Sequence, residues 1–294
     1  MGSLCSGCAS TDLSGSNWAT KPGFERVPTD QFDLDKQLTI ENRQRLLRNP
    51  NLLYWYEQLY RQQFGDIPDF ASKRVLEIGS GTSPIKRFHP HILTSDVLPL
   101  DYLDFVFDCH QIHGFTAIPD ASLDVVTLTN VLHHLQDPLD FLTKIAVKLK
   151  SGGKLIATEP YFSALSTPIW RYLHHEPVDF SIQEPKLVSV EGPLTTSNQA
   201  MPYLIFKRRR DWAERLAGFY DKPIETRPFS SLSYLVTGGI SRKLPVPKFF
   251  YRSLFGADQL LARVAPDLFA SFFTIVLVRS GNTPLAKSTN SHPH

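Results

Sequence analysis

Cysteine is scarce in this sequence. Only Cys5, Cys8 and Cys109 occur among 294 residues, and an odd number cannot pair completely. A chain of this length needs no disulfide framework, so the composition favours a reducing compartment and predicts a cytoplasmic location. A zinc site at Cys5 and Cys8 is not favoured, because a structural zinc needs four ligands and no second closely spaced pair follows.

Long apolar runs and an excess of one charge are missing as well. The longest apolar stretch, 268–278, is well short of the roughly 20 residues that a membrane-spanning helix needs. The N-terminal residues have no apolar segment typical of a signal peptide. Lys and Arg number 31 against 29 Asp and Glu, a formal net charge of +2. This balance gives no electrostatic reason to expect a nucleic-acid partner.

The N-terminus carries a lipidation pattern. In Met1-Gly2-Ser3-Leu4-Cys5-Ser6, removal of Met1 exposes Gly2 for myristoylation, with Ser6 correctly spaced. Palmitate on Cys5 and Cys8 would add the second lipid that stable anchoring needs. The alternative is a Gly/Ser-rich leader that matches the pattern by chance. The first reading predicts peripheral contact with a membrane.

The pattern along the chain predicts one domain. We expect a flexible leader over 1–27, a domain over 28–280 and a flexible tail over 281–294. Inside the domain, an apolar stripe at helical spacing predicts a helical cap over 28–73. Strands alternate with helices over 74–160 and predict the core. Two insertions, 161–210 and 230–270, leave from the side of the sheet that binds ligands.

Polar residues end the predicted strands of the core. Strands are predicted at 74–78, 92–95, 105–107, 123–129, 154–158, 224–229 and 272–278. Their order predicts a mostly parallel α/β sheet with helices on both faces. Ligands of such sheets bind beyond the carboxyl ends of the strands. We therefore expect one edge of the sheet to collect Glu77, Asp96, Asp108, Asn130 and Glu159.

A glycine loop follows the first strand. Its sequence over 75–83 is Val-Leu-Glu-Ile-Gly-Ser-Gly-Thr-Ser, and Gly79 and Gly81 allow a tight turn and close approach to a ligand. A dinucleotide-binding loop would have a third glycine where this chain has Pro84. A phosphate-binding P-loop is excluded, since no Gly-Lys-Ser or Gly-Lys-Thr follows.

The loop and the strand ends resemble the class I S-adenosylmethionine-dependent methyltransferase family. Glu77-Ile78-Gly79-Ser80-Gly81 matches the family's acidic-x-Gly-x-Gly motif, although Ser83 stands where a further glycine is common. The resemblance implies a Rossmann-like, seven-stranded, mostly parallel sheet with an antiparallel last strand, and S-adenosyl-L-methionine as the cofactor. It places Asp96 at the ribose, Asp108-Cys109 beside the adenine and 130–135 over the methionine end. The implied cofactor-binding residues are Glu77, Gly79, Ser80, Gly81, Asp96, Val97, Asp108, Cys109 and Asn130.

The charges of this loop region suit such a ligand. S-adenosylmethionine carries a sulfonium, an ammonium group and a diol but no phosphate, and acidic side chains with no basic residue in the loop match that chemistry. The alternative is that the carboxylates only cap strand ends and turns.

Two histidine-containing segments are candidates for the chemistry. His133 follows the fourth strand and resembles the histidine base of small-molecule O-methyltransferases; the alternative is a packing histidine. The cluster 174–179, His-His-Glu-Pro-Val-Asp, lies in the first insertion, where His175 is a candidate for acceptor binding or acid/base catalysis, with a structural role as the alternative. No metal site is expected, because adjacent histidines seldom face the same point.

Two further features bear on the acceptor. The basic run 207–210 is typical of a solvated helix start, or else faces an anionic lipid or a phosphorylated substrate. The second insertion is unusually apolar, which indicates core packing or a hydrophobic acceptor. Its apolar residues include Phe249, Phe250, Leu254, Phe255, Leu260 and Leu261.

The predicted function is methyl transfer from S-adenosylmethionine to a small acceptor. The apolar insertions favour a hydrophobic, lipid or glycan-linked acceptor. The alternatives are a non-catalytic cofactor-binding or scaffold protein, an NAD-dependent oxidoreductase and an RNA methyltransferase. The last would need a basic face that the composition does not favour.

Overall fold

The computed structural model describes residues 29–240 and 244–281. The lipidation pattern at Gly2, Cys5 and Cys8 lies outside these residues, as do the predicted leader and the tail beyond Gly281. Among the described residues, no helix has both the length and the apolar character needed to cross a bilayer.

One seven-stranded sheet forms the centre of the described chain. Its strand order is β3-β2-β1-β4-β5-β7-β6, and the order reverses between β1 and β4. Strands β1 to β5 are parallel, whereas β7 is antiparallel to both β5 and β6. The predicted Rossmann-like fold with an antiparallel last strand is therefore confirmed. The strands are β1 (Val75–Ile78), β2 (Leu93–Asp96), β3 (Phe105–Val106), β4 (Leu123–Thr129), β5 (Leu149–Pro160), β6 (Glu225–Phe229) and β7 (Phe272–Val278).

Helices flank the sheet and cover its ligand edge. Two of them, α1 and α2, precede the sheet in the chain, and α5 to α10 follow β5. The helices of the described residues are α1 (Thr29–Leu47), α2 (Pro50–Phe64), α3 (Ile85–Phe88), α4 (Pro138–Ala146), α5 (Ser166–Tyr172), α6 (Ala200–Tyr203), α7 (Arg210–Glu214), α8 (Ser233–Val236), α9 (Lys248–Val264) and α10 (Pro266–Phe269).

Local signals explain the start of α4 and the long strand after it. Asp137 caps α4, accepting a hydrogen bond from the Asp140 N–H at 3.0 Å, and Pro138 occupies the first turn, as such positions favour. Strand β5 begins at Leu149, earlier than predicted. Gly152 adopts a positive φ of 74° within it, so the glycine pair forms an irregular strand start instead of a loop.

Helix α2 anchors the N-terminal cap to the sheet. The Trp55 indole N–H donates to Ser230 Oγ at 3.1 Å, and Gln63 Nε2 donates to Thr158 Oγ1 at 2.9 Å. Its apolar face is buried against the same end of the sheet. The buried hydrophobic residues of this face are Leu52, Trp55, Tyr56, Leu59, Tyr60 and Phe64.

Helix α9 differs from the sequence prediction of core packing. Phe255 is buried, but Phe249 is 76% exposed and Phe250 is 67% exposed. The prediction was therefore wrong for most of this set, because the helix buries a single stripe and presents its other apolar residues to solvent.

Candidate active site

A cavity of about 1920 Å³ lies at the carboxyl ends of the parallel strands. Its walls come from the strand ends, helix α1, the first insertion and the segment after α8. Among the predicted cofactor-binding residues, Glu77 and Ser80 do not line it. The other seven do: Gly79, Gly81, Asp96, Val97, Asp108, Cys109 and Asn130.

The glycine loop is held by a carboxylate from the neighbouring strand. Gly81 N–H donates to Asp96 Oδ2 at 2.9 Å, and Leu98 N–H donates to Asp96 Oδ1 at 3.0 Å. Gly79 has a φ of +74°, and a Cβ at this position would lie 2.4 Å from Val131 Cγ2. The backbone here therefore passes a neighbour more closely than any side-chain-bearing residue allows.

Glu77 supports the loop from behind. Its Oε1 accepts a hydrogen bond from Ser83 Oγ at 2.7 Å, and Ser83 Oγ also contacts the Tyr60 hydroxyl at 3.1 Å. Ser80 Oγ lies between the Glu77 carbonyl and the Ser95 N–H, 3.3 Å from each. Burial raises the pKa of Glu77 to about 7. Glu77 and Ser80 thus set the loop's shape without reaching the cavity.

Five residues on the cavity wall each have a buried polar atom with no hydrogen-bond partner among the described residues: Asp108, His110, Asn130, His133 and Gln199. Two of these atoms, Asp108 Oδ2 and Asn130 Oδ1, belong to predicted cofactor-binding residues. The other Asp108 oxygen accepts from the His110 N–H at 3.0 Å and contacts His110 Nδ1 at 2.8 Å. Burial alone would raise the pKa of Asp108, but hydrogen bonds and charge from His110 outweigh it and lower the pKa. An ionised acceptor therefore faces the cavity beside β3.

His133 lies between two carboxylates. Its Nδ1 is 2.5 Å from Glu159 Oε2, and its Nε2 is 3.1 Å from Glu176 Oε2. Glu159 Oε1 also accepts hydrogen bonds from the N–H groups of Val131 at 2.9 Å and Leu132 at 2.7 Å. Burial alone would lower the pKa of His133, but the two glutamates raise it to about 10.

The other histidines of the cavity differ from His133. Burial, together with the charge of His133, lowers the pKa of His134 to about 4, and burial lowers the pKa of His174 to about 4. His134 Nδ1 lies 3.1 Å from the Thr196 carbonyl oxygen, and its Nε2 lies 3.8 Å from Glu176 Oε1. The His175 side chain is 81% exposed, and its Nε2 is 3.9 Å from Glu176 Oε1.

The sequence interpretation did not single out Gln199. Its Nε2 contacts His174 Nδ1 at 2.8 Å and donates to Glu176 Oε2 at 3.0 Å. Burial alone would raise the pKa of Glu176, but its close contact with His133 and nearby histidine charge lower the pKa strongly. No local pattern marks Gln199, because its partners lie in another part of the insertion.

The aromatic and basic residues of the first insertion divide between two cavities. Trp170 lines the large cavity, while Tyr172 is exposed. Tyr161, Lys207 and Arg208 line a second cavity of about 590 Å³. Two residues of the basic run therefore line this second cavity, and Lys207 Nζ lies 5.6 Å from the centre of the Tyr161 ring.

Comparison with known protein families identifies the kind of domain that contains this site. The family described as "Methyltransferase domain" matches residues 42–183, which include the glycine loop, Asp96, Asp108, Asn130 and the cluster around His133. The match identifies this part of the chain as a methyltransferase domain of the class I S-adenosylmethionine-dependent type. The cofactor of this methyltransferase is S-adenosyl-L-methionine, and its reaction is transfer of the cofactor's methyl group. This assignment sets aside the predicted alternatives of an NAD-dependent oxidoreductase and a non-catalytic protein.

Solved structures similar to this methyltransferase include three at low identity. An S-adenosylmethionine-dependent methyltransferase from Archaeoglobus fulgidus is 19% identical, covers 76% of this chain and 93% of its own, and has a TM-score of 0.42. A putative methyltransferase in complex with the Trm112 activator of Haloferax volcanii is 14% identical. The match covers 90% of this chain and 99% of that one, with a TM-score of 0.45. The N-methyltransferase NodS of Bradyrhizobium japonicum is 14% identical. The match covers 85% of this chain and 99% of that one, with a TM-score of 0.43. No curated protein matches the chain.

Proposed function

We propose that this methyltransferase methylates the polar end of a small amphiphilic acceptor, either a hydrophobic small molecule or a lipid or glycan-linked one. The observation that carries the proposal is the composition of the cavity wall. Buried histidine and glutamate side chains lie inside, whereas exposed aliphatic side chains lie where the cavity meets solvent. This apolar rim consists of Leu34, Leu38, Leu173, Val188, Val190 and Leu244.

The residues present fit the cofactor. Asp96 is proposed to bind the ribose hydroxyls, and Asp108 with Cys109 to contact the adenine, where Asp108 Oδ2 has no other partner among the described residues. Gly79 and Gly81 give the backbone room to approach the ligand, and Val97 and Asn130 complete the wall. The bound cofactor supplies a methyl group already activated on sulfonium. Positioning by the chain's residues therefore contributes much of the catalysis.

The contacts of His133 favour a positioning role over the predicted role of base. Its two ring nitrogens lie against Glu159 and Glu176, and the side chain is almost wholly buried. Glu159 contacts Nδ1, and Nε2 is buried beside the Glu176 carboxylate instead of being exposed to an acceptor hydroxyl. We therefore propose that His133 fixes Glu176 in the cavity. His175, which lines the cavity and is exposed, is proposed to contact the acceptor.

A second surface favours a lipid-linked acceptor. Helix α9 exposes apolar residues, and its exposed charged residues Lys248, Arg252 and Arg263 are all basic. A helix with apolar and basic residues exposed together suits the surface of an anionic membrane. We propose that this face provides the peripheral membrane contact.

Label transfer from S-adenosylmethionine with a radioactive methyl group tests the proposal. The labelled product formed from extracts of the source cells is expected in the organic phase. Val188→Ser is expected to lower kcat/KM for that product by about tenfold, because apolar contact between acceptor and rim is lost. The matched control is Val106→Ser, since Val106 is exposed in β3 and does not line the cavity.

Two outcomes would contradict a hydrophobic acceptor. One is label found only in water-soluble products at a rate that Val188→Ser does not change. The other is label found on protein or RNA instead of on a small molecule.

A further inference from the structure

Three side chains in the cavity bring potential metal ligands together. The ligand atoms of His133, His134 and Glu176 all lie within 4.8 Å of one another. The Nε2 atoms of His133 and His134 lie 3.1 Å and 3.8 Å from the Glu176 oxygens. Ligand atoms on a tetrahedral zinc stand about 3.4 Å apart, since each lies about 2.1 Å from the metal. The observed spacing therefore needs little adjustment to surround an ion.

The Nδ1 atoms of His133 and His134 have the kind of partner that metal-binding histidines have. His133 Nδ1 contacts Glu159 Oε2 at 2.5 Å, and His134 Nδ1 contacts the Thr196 carbonyl oxygen at 3.1 Å. A ligating histidine almost always donates its other ring N–H to a carboxylate or a backbone carbonyl, which fixes the tautomer. These contacts leave Nε2 as the ligand atom of both rings, on the side of Glu176.

The buried Nε2 of His133 is not satisfied by the protein alone. It has no hydrogen-bond partner among the described residues, because its close contact with Glu176 lacks hydrogen-bond alignment. Glu176 is itself held by Gln199 Nε2 at 3.0 Å. The rings of His133 and His134 lie side by side, with their centres 4.3 Å apart and their planes tilted by 38°.

We propose that His133, His134 and Glu176 bind a divalent transition-metal ion. Two imidazoles and one carboxylate form a ligand set that zinc and ferrous iron accept, with at least one position left open. All three residues line the large cavity. If the proposed function holds, the open position faces the acceptor, where an ion would lower the pKa of a bound hydroxyl. It would thereby supply the activation that the enclosed His133 does not.

Titration of the full chain with Co²⁺ tests the site directly. Binding to nitrogen and oxygen ligands is expected to give visible d–d bands at one ion per chain. His134→Ala should abolish them, and Glu159→Gln should weaken Co²⁺ binding by about tenfold or more, because it removes the partner that orients His133. His113→Ala is the matched control, since His113 is exposed and lies outside the cavity. Binding of S-adenosylhomocysteine to each variant shows that it is folded.

The outcomes separate the metal site from the methyltransferase assignment. No d–d bands in a protein that binds S-adenosylhomocysteine would overturn the metal site and leave the assignment intact. Bands that persist in His134→Ala would overturn it too, as would thiolate-to-metal charge transfer, which would locate the ion at cysteine. Bands lost in His134→Ala but kept in His113→Ala would support the site even if no acceptor is found.

Discussion

Gly79→Ala is expected to weaken the binding of S-adenosylhomocysteine by roughly 100-fold. The new Cβ would lie 2.4 Å from Val131 Cγ2, so either the glycine loop or the loop after β4 has to move. Moving the glycine loop breaks the hydrogen bond from Gly81 to Asp96 and the proposed backbone contacts to the cofactor. Losing two or three hydrogen bonds amounts to about 3 kcal/mol. Calorimetric titration of the purified variant measures the loss.

Gly152→Ala is the matched control for this variant. Gly152 has the same φ of +74° as Gly79, but a Cβ there would meet nothing within 4 Å. Gly152→Ala should therefore lower the free energy of unfolding only by the backbone strain of about 1–2 kcal/mol. The affinity for S-adenosylhomocysteine should not change. Adding Val131→Ala to Gly79→Ala removes the clash and is expected to restore part of the affinity. Equal loss of affinity in the two glycine variants would show that the close approach to Val131 is irrelevant.

Asp96→Ala is expected to raise the Kd for S-adenosylhomocysteine by roughly 100-fold or more. The carboxylate accepts hydrogen bonds from Gly81 and Leu98 and is proposed to bind the ribose hydroxyls. Hydrogen bonds to a charged group contribute about 1.5–3 kcal/mol each, so losing the two proposed bonds to the ribose hydroxyls gives this effect. Calorimetry gives the Kd, and thermal melting shows whether the variant is folded.

The exposed Asp101 provides the control for charge. Asp101→Ala removes a carboxylate from the same loop without touching the bonds to Gly81 and Leu98, and should leave the Kd unchanged. A folded Asp96→Ala that binds as tightly as the unmodified chain would show that the ribose contact is wrongly assigned.

The sheet and the cofactor side of the cavity were accessible from sequence because their signals are local. Runs of β-branched residues mark β4 and β7, and the Asp137-Pro138 pair marks the start of α4. The carboxyl ends of parallel strands meet at one edge by topology alone, so Asp96, Asp108 and Asn130 could be grouped before any coordinates.

The part of the cavity that is proposed to hold the acceptor has no such local signal. His133, Glu159, Glu176 and Gln199 come from a turn, a strand end and two parts of one insertion, and only the folded chain makes them neighbours. The inward position of Glu77 was missed for a related reason. The motif gives its place in the chain, whereas its contact with Ser83 determines the direction of its side chain.

Whether the cavity at the strand ends is the cofactor site is tested most directly by calorimetry on the unmodified protein, titrated with S-adenosylhomocysteine and, in parallel, with NAD. The structure predicts binding of one S-adenosylhomocysteine per chain at micromolar affinity and no binding of NAD. A folded protein that binds NAD, or that binds neither ligand, would contradict the assignment of Asp96, Asp108 and the glycine loop to S-adenosylmethionine.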